Sequence, residues 1–196
     1  RVMTGVDGRY ELVVYGSNDR KHWEVYEFAH KPVKTSKMPS FVAPHQPRLD
    51  WQLWFSALNP GISQNDSYFG RFIHQLFYHS KSVKTLLGKD PFEDSPPQYL
   101  KVNRIMYEFT KFEDLKDGDL SRMLMAMLAQ TVHTNFPSIS EKLGISEIGQ
   151  DIKWWKAGKT RKKYLSTVQR SDFKFAADDF SEYPLHPMQA IDLRYL

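Results

Sequence analysis

Apolar and polar positions alternate in two short runs near the start of the chain. Tyr10–Tyr15 and Trp23–Phe28 flank the turn-rich stretch Gly16-Ser17-Asn18-Asp19-Arg20-Lys21-His22, a pattern that predicts a β-hairpin. Leu12 and Val14 fall on one face of the first strand and Val13 and Tyr15 on the other; in the second, Trp23 and Val25 oppose Tyr26 and Phe28. Apolar residues on both faces predict a strand pair covered on both sides, with helices as the cover. Lys31–Ser40 then reads as a basic, proline-bearing linker.

The period changes after the linker. Leu49–Leu58 is predicted as a helix, stopped by Asn59-Pro60-Gly61, with Trp51, Trp54, Phe55 and Leu58 spaced to form one buried face. A second helix is expected after Asp66 or Ser67 as cap, with Tyr68, Phe69, Phe72, Ile73, Leu76 and Phe77 as a broad apolar stripe. A short helix around Val83–Leu87 should end at Gly88, and Asp90–Pro97 is a turn-rich break. Tyr99–Thr110 reads as a long strand whose alternation changes phase near Asn103-Arg104, so a bulge is expected there. Asp119 is placed to cap a third helix with Leu120, Met123, Leu124, Met127 and Leu128 on one face, part of it core. Trp154-Trp155, a basic run and a polar tail close the chain. The expected fold class is α+β, a small, mainly antiparallel sheet packed against helices. It should form one domain, divided into a core over 1–110, an inserted helical segment over 111–153 and a Trp-Trp, basic and tail segment over 154–196.

Composition adds bounds. With 196 residues, 41% of them hydrophobic, the chain has material for one sizeable core. The net charge of +4 bears on solubility and steering and not on fold. Zero cysteines exclude disulfides and thiolate metal sites within this segment. Phe69–Tyr78 and Met123–Ala129 are too short to cross a bilayer, which takes about 20 apolar residues. The chain opens on Arg1 and reads as a piece of a longer protein, so any membrane anchor is expected outside it.

The densest chemistry lies in Pro44-His45-Gln46-Pro47-Arg48-Leu49-Asp50-Trp51-Gln52-Leu53-Trp54. Pro44 and Pro47 stiffen the approach, and Asp50 falls in the first helical turn, where the dipole favours an anion. His45 with Asp50 invites an acid–base reading, but a structural role for both is favoured, with Arg48 and Asp50 a candidate ion pair. No serine sits in a G-x-S-x-G elbow and there is no cysteine, so a hydrolase nucleophile has no support and no catalytic residue is assigned. His74 and His79 lie five apart, the wrong offset for a shared metal face, and neither a metal nor another cofactor is expected. Asp178 and Asp179 read as solvated tail residues. Asn65-Asp66-Ser67 is an N-glycosylation sequon, which makes Asn65 a candidate glycan site if the segment is luminal. Ser17, Asp19 and Trp23 resemble the strand–turn–strand of discoidin-like sugar-binding sandwiches, although a hairpin turn explains the same residues. Trp154-Trp155 beside Lys156, Lys159, Arg161, Lys162 and Lys163 is compatible with contact to anionic lipid or nucleic acid. A core indole pair beside a solvated basic face is the favoured reading, and no nucleic-acid partner is assigned.

Taken together, Tyr10-Glu11-Leu12-Val13-Val14-Tyr15-Gly16-Ser17, Trp23-Glu24-Val25-Tyr26-Glu27-Phe28 with Lys31-Pro32, and above all Ala43-Pro44-His45-Gln46-Pro47-Arg48-Leu49-Asp50-Trp51-Gln52-Leu53-Trp54-Phe55 carry a family resemblance. Pro91-Phe92, Pro96-Pro97, Tyr107-Glu108-Phe109-Thr110 and Trp154-Trp155 continue it. The segment from Tyr10 to Thr110 resembles the C-terminal region of the lipase maturation factor family. The resemblance implies an endoplasmic-reticulum membrane protein whose soluble C-terminal region is luminal. It also implies a chaperone-like, non-catalytic role in the folding and assembly of secreted homodimeric lipases, with those lipases as protein clients. Membrane contact would then run only through segments outside this chain. Two features depart from the family pattern. Lys111–Lys153 stands between the Phe-Thr strand and Trp-Trp, as an insertion would, and the proline-rich close after Trp-Trp is missing.

Overall fold

A computed structural model of the chain describes residues 8–40, 42, 47–58, 67–78, 80–145, 148 and 151–172. Its centre is a four-stranded antiparallel sheet in the order β2-β1-β5-β6, formed by β1 (Arg9–Ser17), β2 (Glu24–Val25), β5 (Tyr99–Phe109) and β6 (Trp155–Gln169). A two-stranded sheet pairs β3 (Glu27–Phe28) with β4 (Leu87–Lys89). The helices are α1 (Arg48–Leu58), α2 (Ser67–Phe77), α3 (Lys81–Lys84), α4 (Asp119–Asn135) and α5 (Pro137–Leu143). The fold class is α+β, as the hydrophobic pattern predicts.

β1 is apolar on both faces because both are covered. Leu12 and Val14 join the larger core with Leu49, Leu53 and Ala57 of α1 and with Phe69, Phe72, Ile73, Leu76 and Phe77 of α2. The α2 stripe is therefore buried as its spacing predicts. Val13 points the other way, into a smaller core with Ile105, Tyr107, Trp154, Trp155 and Ala126 of α4. Trp154 and Trp155 are a buried pair, while Lys156, Lys159, Lys162 and Lys163 are exposed, so core indoles beside a solvated basic face is the arrangement that forms.

Several expected elements are corrected. The second hairpin strand breaks at Tyr26, whose N–H still donates to Val14 O (3.0 Å) while Glu27–Phe28 turns away to pair with β4. The expected helix at Val83–Leu87 is split: α3 stops at Lys84, and Leu87–Lys89 is a strand. β5 carries no bulge against β1, with which it stays in register from Arg9↔Tyr107 to Ser17↔Tyr99. The irregularities fall in β6, whose 15 residues run beside the 11 of β5 with three register shifts. Arg104 sits on the core face because its guanidinium lies 3.6 Å over the Tyr10 ring and its Nε donates to Ala57 O (2.5 Å) near the end of α1. A terminal carbonyl thereby finds a donor, which resolves the polar residue in an apolar strand. In α4, Gly118 at φ +85° is the N-cap, and Asp119 opens the helix while accepting from Lys116 N–H (2.9 Å).

Candidate functional site

Pro44, His45, Gln46 and Asn65 lie outside the described residues, as do His79, Asp178 and Asp179. From Pro47 onward the motif is a helix start: Pro47 O accepts from Trp51 N–H (3.0 Å), the first intrahelical bond. The buried side of α1 is Leu49, Asp50, Leu53, Trp54 and Ala57. This corrects the predicted face. Trp51, Phe55 and Leu58 are 41%, 58% and 45% exposed, because α1 is rotated so that the smaller Leu53 and Ala57 meet the sheet. The Trp51 and Phe55 rings stack on each other at 5.7 Å and 19°, presenting a flat aromatic surface.

Asp50 is 1% exposed and its Oδ1 accepts from the His30 backbone N–H (3.0 Å), whereas Arg48 is exposed. The carboxylate thus fastens the segment after β3 to α1. One residue on, Lys31 is fully buried. Its Nζ donates to Leu12 O (3.0 Å), lies 3.3 Å from Glu11 Oε2 and sits 4.5 Å over the Phe28 ring. Arg9 pairs with the other oxygen of Glu11. Burial pulls the Lys31 ammonium below its usual value, opposed by Glu11 and Asp50. Lys37 is lowered by burial in the same way, opposed by Asp50 and Glu27.

The stretch expected as a solvated linker is therefore a strap. Val33 O accepts from Tyr107 Oη (3.0 Å), Thr35 O from Trp155 N–H (3.0 Å) and Lys37 O from Trp155 Nε1 (2.7 Å). Trp154 O in turn accepts from Thr110 N–H (3.0 Å). These bonds join the strap, the Phe-Thr end of β5 and the Trp-Trp segment. Sequence reasoning passed over Glu11 and Lys31. The available signal was a carboxylate between Tyr10 and Leu12 in an apolar strand, since a buried charge needs a partner.

A second apolar surface lies on α4 and α5. Leu120, Leu124, Met127 and Leu128, expected to be partly core, are each about half exposed or more, and Phe136 between the helices and Ile139 and Leu143 of α5 are exposed too. Ala126 and Ala129 are the buried residues of α4; Ala126 joins the smaller core, with Met123 packed partly against it. The helix's buried positions carry short side chains, and the long apolar ones are turned out.

The Ser17–Trp23 turn holds its polar groups to itself. Asp19 Oδ1 accepts from the N–H groups of Lys21 and His22 (both 2.8 Å), and Oδ2 meets His22 Nδ1 at 2.6 Å. Those bonds hold the Asp19 carboxyl well below the usual carboxylate range. Trp23 Nε1 donates to Arg20 O (3.0 Å). The residues that resemble a sugar-binding turn thus build the turn itself. Among the described residues no three His, Asp or Glu side chains are grouped to hold a metal ion. No helix there is long and apolar enough to cross a membrane.

The profile of the lipase maturation factor C-terminal domain matches residues 1–122. The chain belongs to the lipase maturation factor family. Lipase maturation factor 2 of Rattus norvegicus is 40% identical over 144 residues, 71% of this chain, and that of Gallus gallus is 44% identical over 114 residues, 56% of it. Lipase maturation factor 1 of Bos taurus is 29% identical over 90 residues, 45% of this chain. The chain spans less than a fifth of these relatives, 19%, 16% and 16% of their lengths. No solved structure matches it. The matched region holds β1 to β5, α1 and the strap, whereas Trp154 and Trp155, which the strap bonds, lie beyond it.

Proposed function

We propose that this lipase maturation factor domain works in the endoplasmic-reticulum lumen as a non-catalytic folding and assembly factor for secreted homodimeric lipases. It would cover unfinished apolar surface on the client. One observation carries the reading: inside the family-matched region, α1 turns Trp51, Phe55 and Leu58 outward while Leu49, Leu53 and Ala57 pack into the core with β1 and Asp50 bonds the segment after β3. Contiguous exposed apolar surface of this kind marks an interaction site, and tryptophan is prominent among residues that dominate binding energy. The arrangement suits transient cover of a folding intermediate, whose exposed hydrophobic surface otherwise aggregates. Proton transfer has little support here, since the Asp50 carboxylate is buried and engaged by a backbone amide.

The test places the full-length parent, with Trp51→Ser and Phe55→Ser together, in secretory cells lacking the factor. Secreted lipase activity should fall to near that of the deficient cells while the factor's own abundance holds. Full rescue by the double variant would refute this surface as client-facing. Glycosylation at Asn65, read as a mobility shift removed by endoglycosidase, would support luminal placement.

A further inference from the structure

We infer that Tyr164 of β6 is a positioning residue for the motif helix: with Arg104 it grips the end of α1 and so holds Trp51, Phe55 and Leu58 outward. The inference rests on the reading of that outer face as the client contact and names what orients it. Both sides of α1 are apolar, with Leu49, Leu53, Trp54 and Ala57 buried and Trp51, Phe55 and Leu58 exposed. Apolar burial is non-directional, so it does not by itself select one side of such a helix. Hydrogen bonds are directional and supply the choice.

α1 is bonded at both ends, from three parts of the chain. Near its start Asp50 accepts from the His30 N–H (3.0 Å). At its close the last four carbonyls have no partner within the helix. Two of them are met from the sheet: Ser56 O accepts from Tyr164 Oη (3.2 Å), and Ala57 O from Arg104 Nε (2.5 Å). Both donors are themselves held in place. The Arg104 guanidinium lies 3.6 Å over the Tyr10 ring, and the Tyr164 ring meets Phe69 of α2 edge-on, with centres 5.1 Å apart and planes at 79°. Turning α1 about its axis to bring Trp51 and Phe55 inward carries Asp50 and both carbonyls away from these donors.

Tyr164 reaches the core through an irregularity of β6. Successive residues of a regular strand point to opposite faces. Tyr164 and Leu165 are nevertheless both buried in the larger core, 7% and 8% exposed. The pairing explains it: Val102 stands opposite Leu165 while the next residue, Asn103, stands opposite Lys163, so Tyr164 is the extra residue of a bulge. That residue lets the phenol and the leucine share one face, which brings the Tyr164 hydroxyl to α1. Bulges recur beside functional sites because they re-aim a side chain in this way. Tyr164 also lies beyond the matched residues 1–122, so the orientation of the motif helix depends on a strand outside the matched region.

The chain has no cysteine, so a single introduced thiol reports on α1 without background. In the 196-residue chain, the rate of labelling by a thiol reagent is measured for Ala57→Cys, at a fully buried position, and for Phe55→Cys on the outer face. Tyr164→Phe keeps the ring against Phe69 and removes the donor. Tyr107→Phe is the control, since it removes the hydroxyl that bonds Val33 O in the strap and leaves the bonds to α1 intact. Tyr164→Phe should speed labelling at position 57 about fivefold, as losing one hydrogen bond does, and adding Arg104→Gln should speed it further. Tyr107→Phe should leave position 57 at the parent rate, and position 55 should label rapidly in every background. Parent-like labelling at position 57 in Tyr164→Phe would overturn the inference. An equal acceleration by Tyr107→Phe would overturn it too, because a merely structural role predicts that result. No lipase enters this measurement, so a failure of the grip on α1 is told apart from a failure of the client reading, which the secretion test with Trp51→Ser and Phe55→Ser detects.

Discussion

Gly16 shows how tightly single positions are specified. A Cβ there would lie 2.4 Å from Cε2 of Phe92, whose ring closes the larger core. Gly16→Ala should lower stability by about 1–3 kcal/mol, read as a drop in the chemical denaturation midpoint. Asp19 makes a prediction of a different kind. Its folded-state pKa is depressed, so its contribution is present above the ordinary value of 3.8 and is lost as pH falls through the lower folded value. In an acid titration followed by NMR, the Asp19 side chain should still report a carboxylate below pH 3.8, and Asp19→Asn should remove that part of the acid dependence. Trp54 is buried, and its Nε1 has no hydrogen-bond partner among the described residues, so the ring acts through packing. Trp54→Ala should cost about 3–5 kcal/mol and Trp54→Phe much less, as melting curves of the two variants will show.

Elements were legible where one periodicity dominated. The α2 stripe has a single apolar face, and that face is buried. α1 and α4 each carry two apolar faces, and spacing alone does not say which one meets the sheet. In both, the buried positions include alanine, and most of the larger side chains of the expected face are exposed, Trp54 being buried as expected. The two faces of α1 should separate on mutation. Leu53→Ala, at a fully buried position, is expected to cost about 2–5 kcal/mol, while Trp51→Ala on the outer side should stay within about 0.5 kcal/mol of the parent. The strap was illegible for another reason. Lysine and proline in sequence signal exposure, and only the long-range partners Glu11, Tyr107 and Trp155 turn the segment into a structural member. The β6 bulges were hidden likewise, since they arise from pairing 15 residues against 11.

At the scale of the molecule, the fold carries two distinct apolar surfaces. The motif helix presents aromatic residues within the family-matched region, and the α4–α5 pair presents leucine and methionine, almost all of it outside that region. The motif's identity was readable because its residue types are rare in combination, but its division into anchor and surface was not, since that depends on how α1 is rotated against β1. The proposed client contact rests on this division. The most direct measurement is photo-crosslinking in secretory cells, with the reactive group at Phe55 in the full-length parent and a second version at exposed Ser82 on α3 as reference. Adducts from Phe55 to newly made lipase should form and fade as the lipase becomes dimeric, with far fewer from Ser82. Equal adducts from both positions, or none from Phe55 while the lipase matures normally, would contradict it.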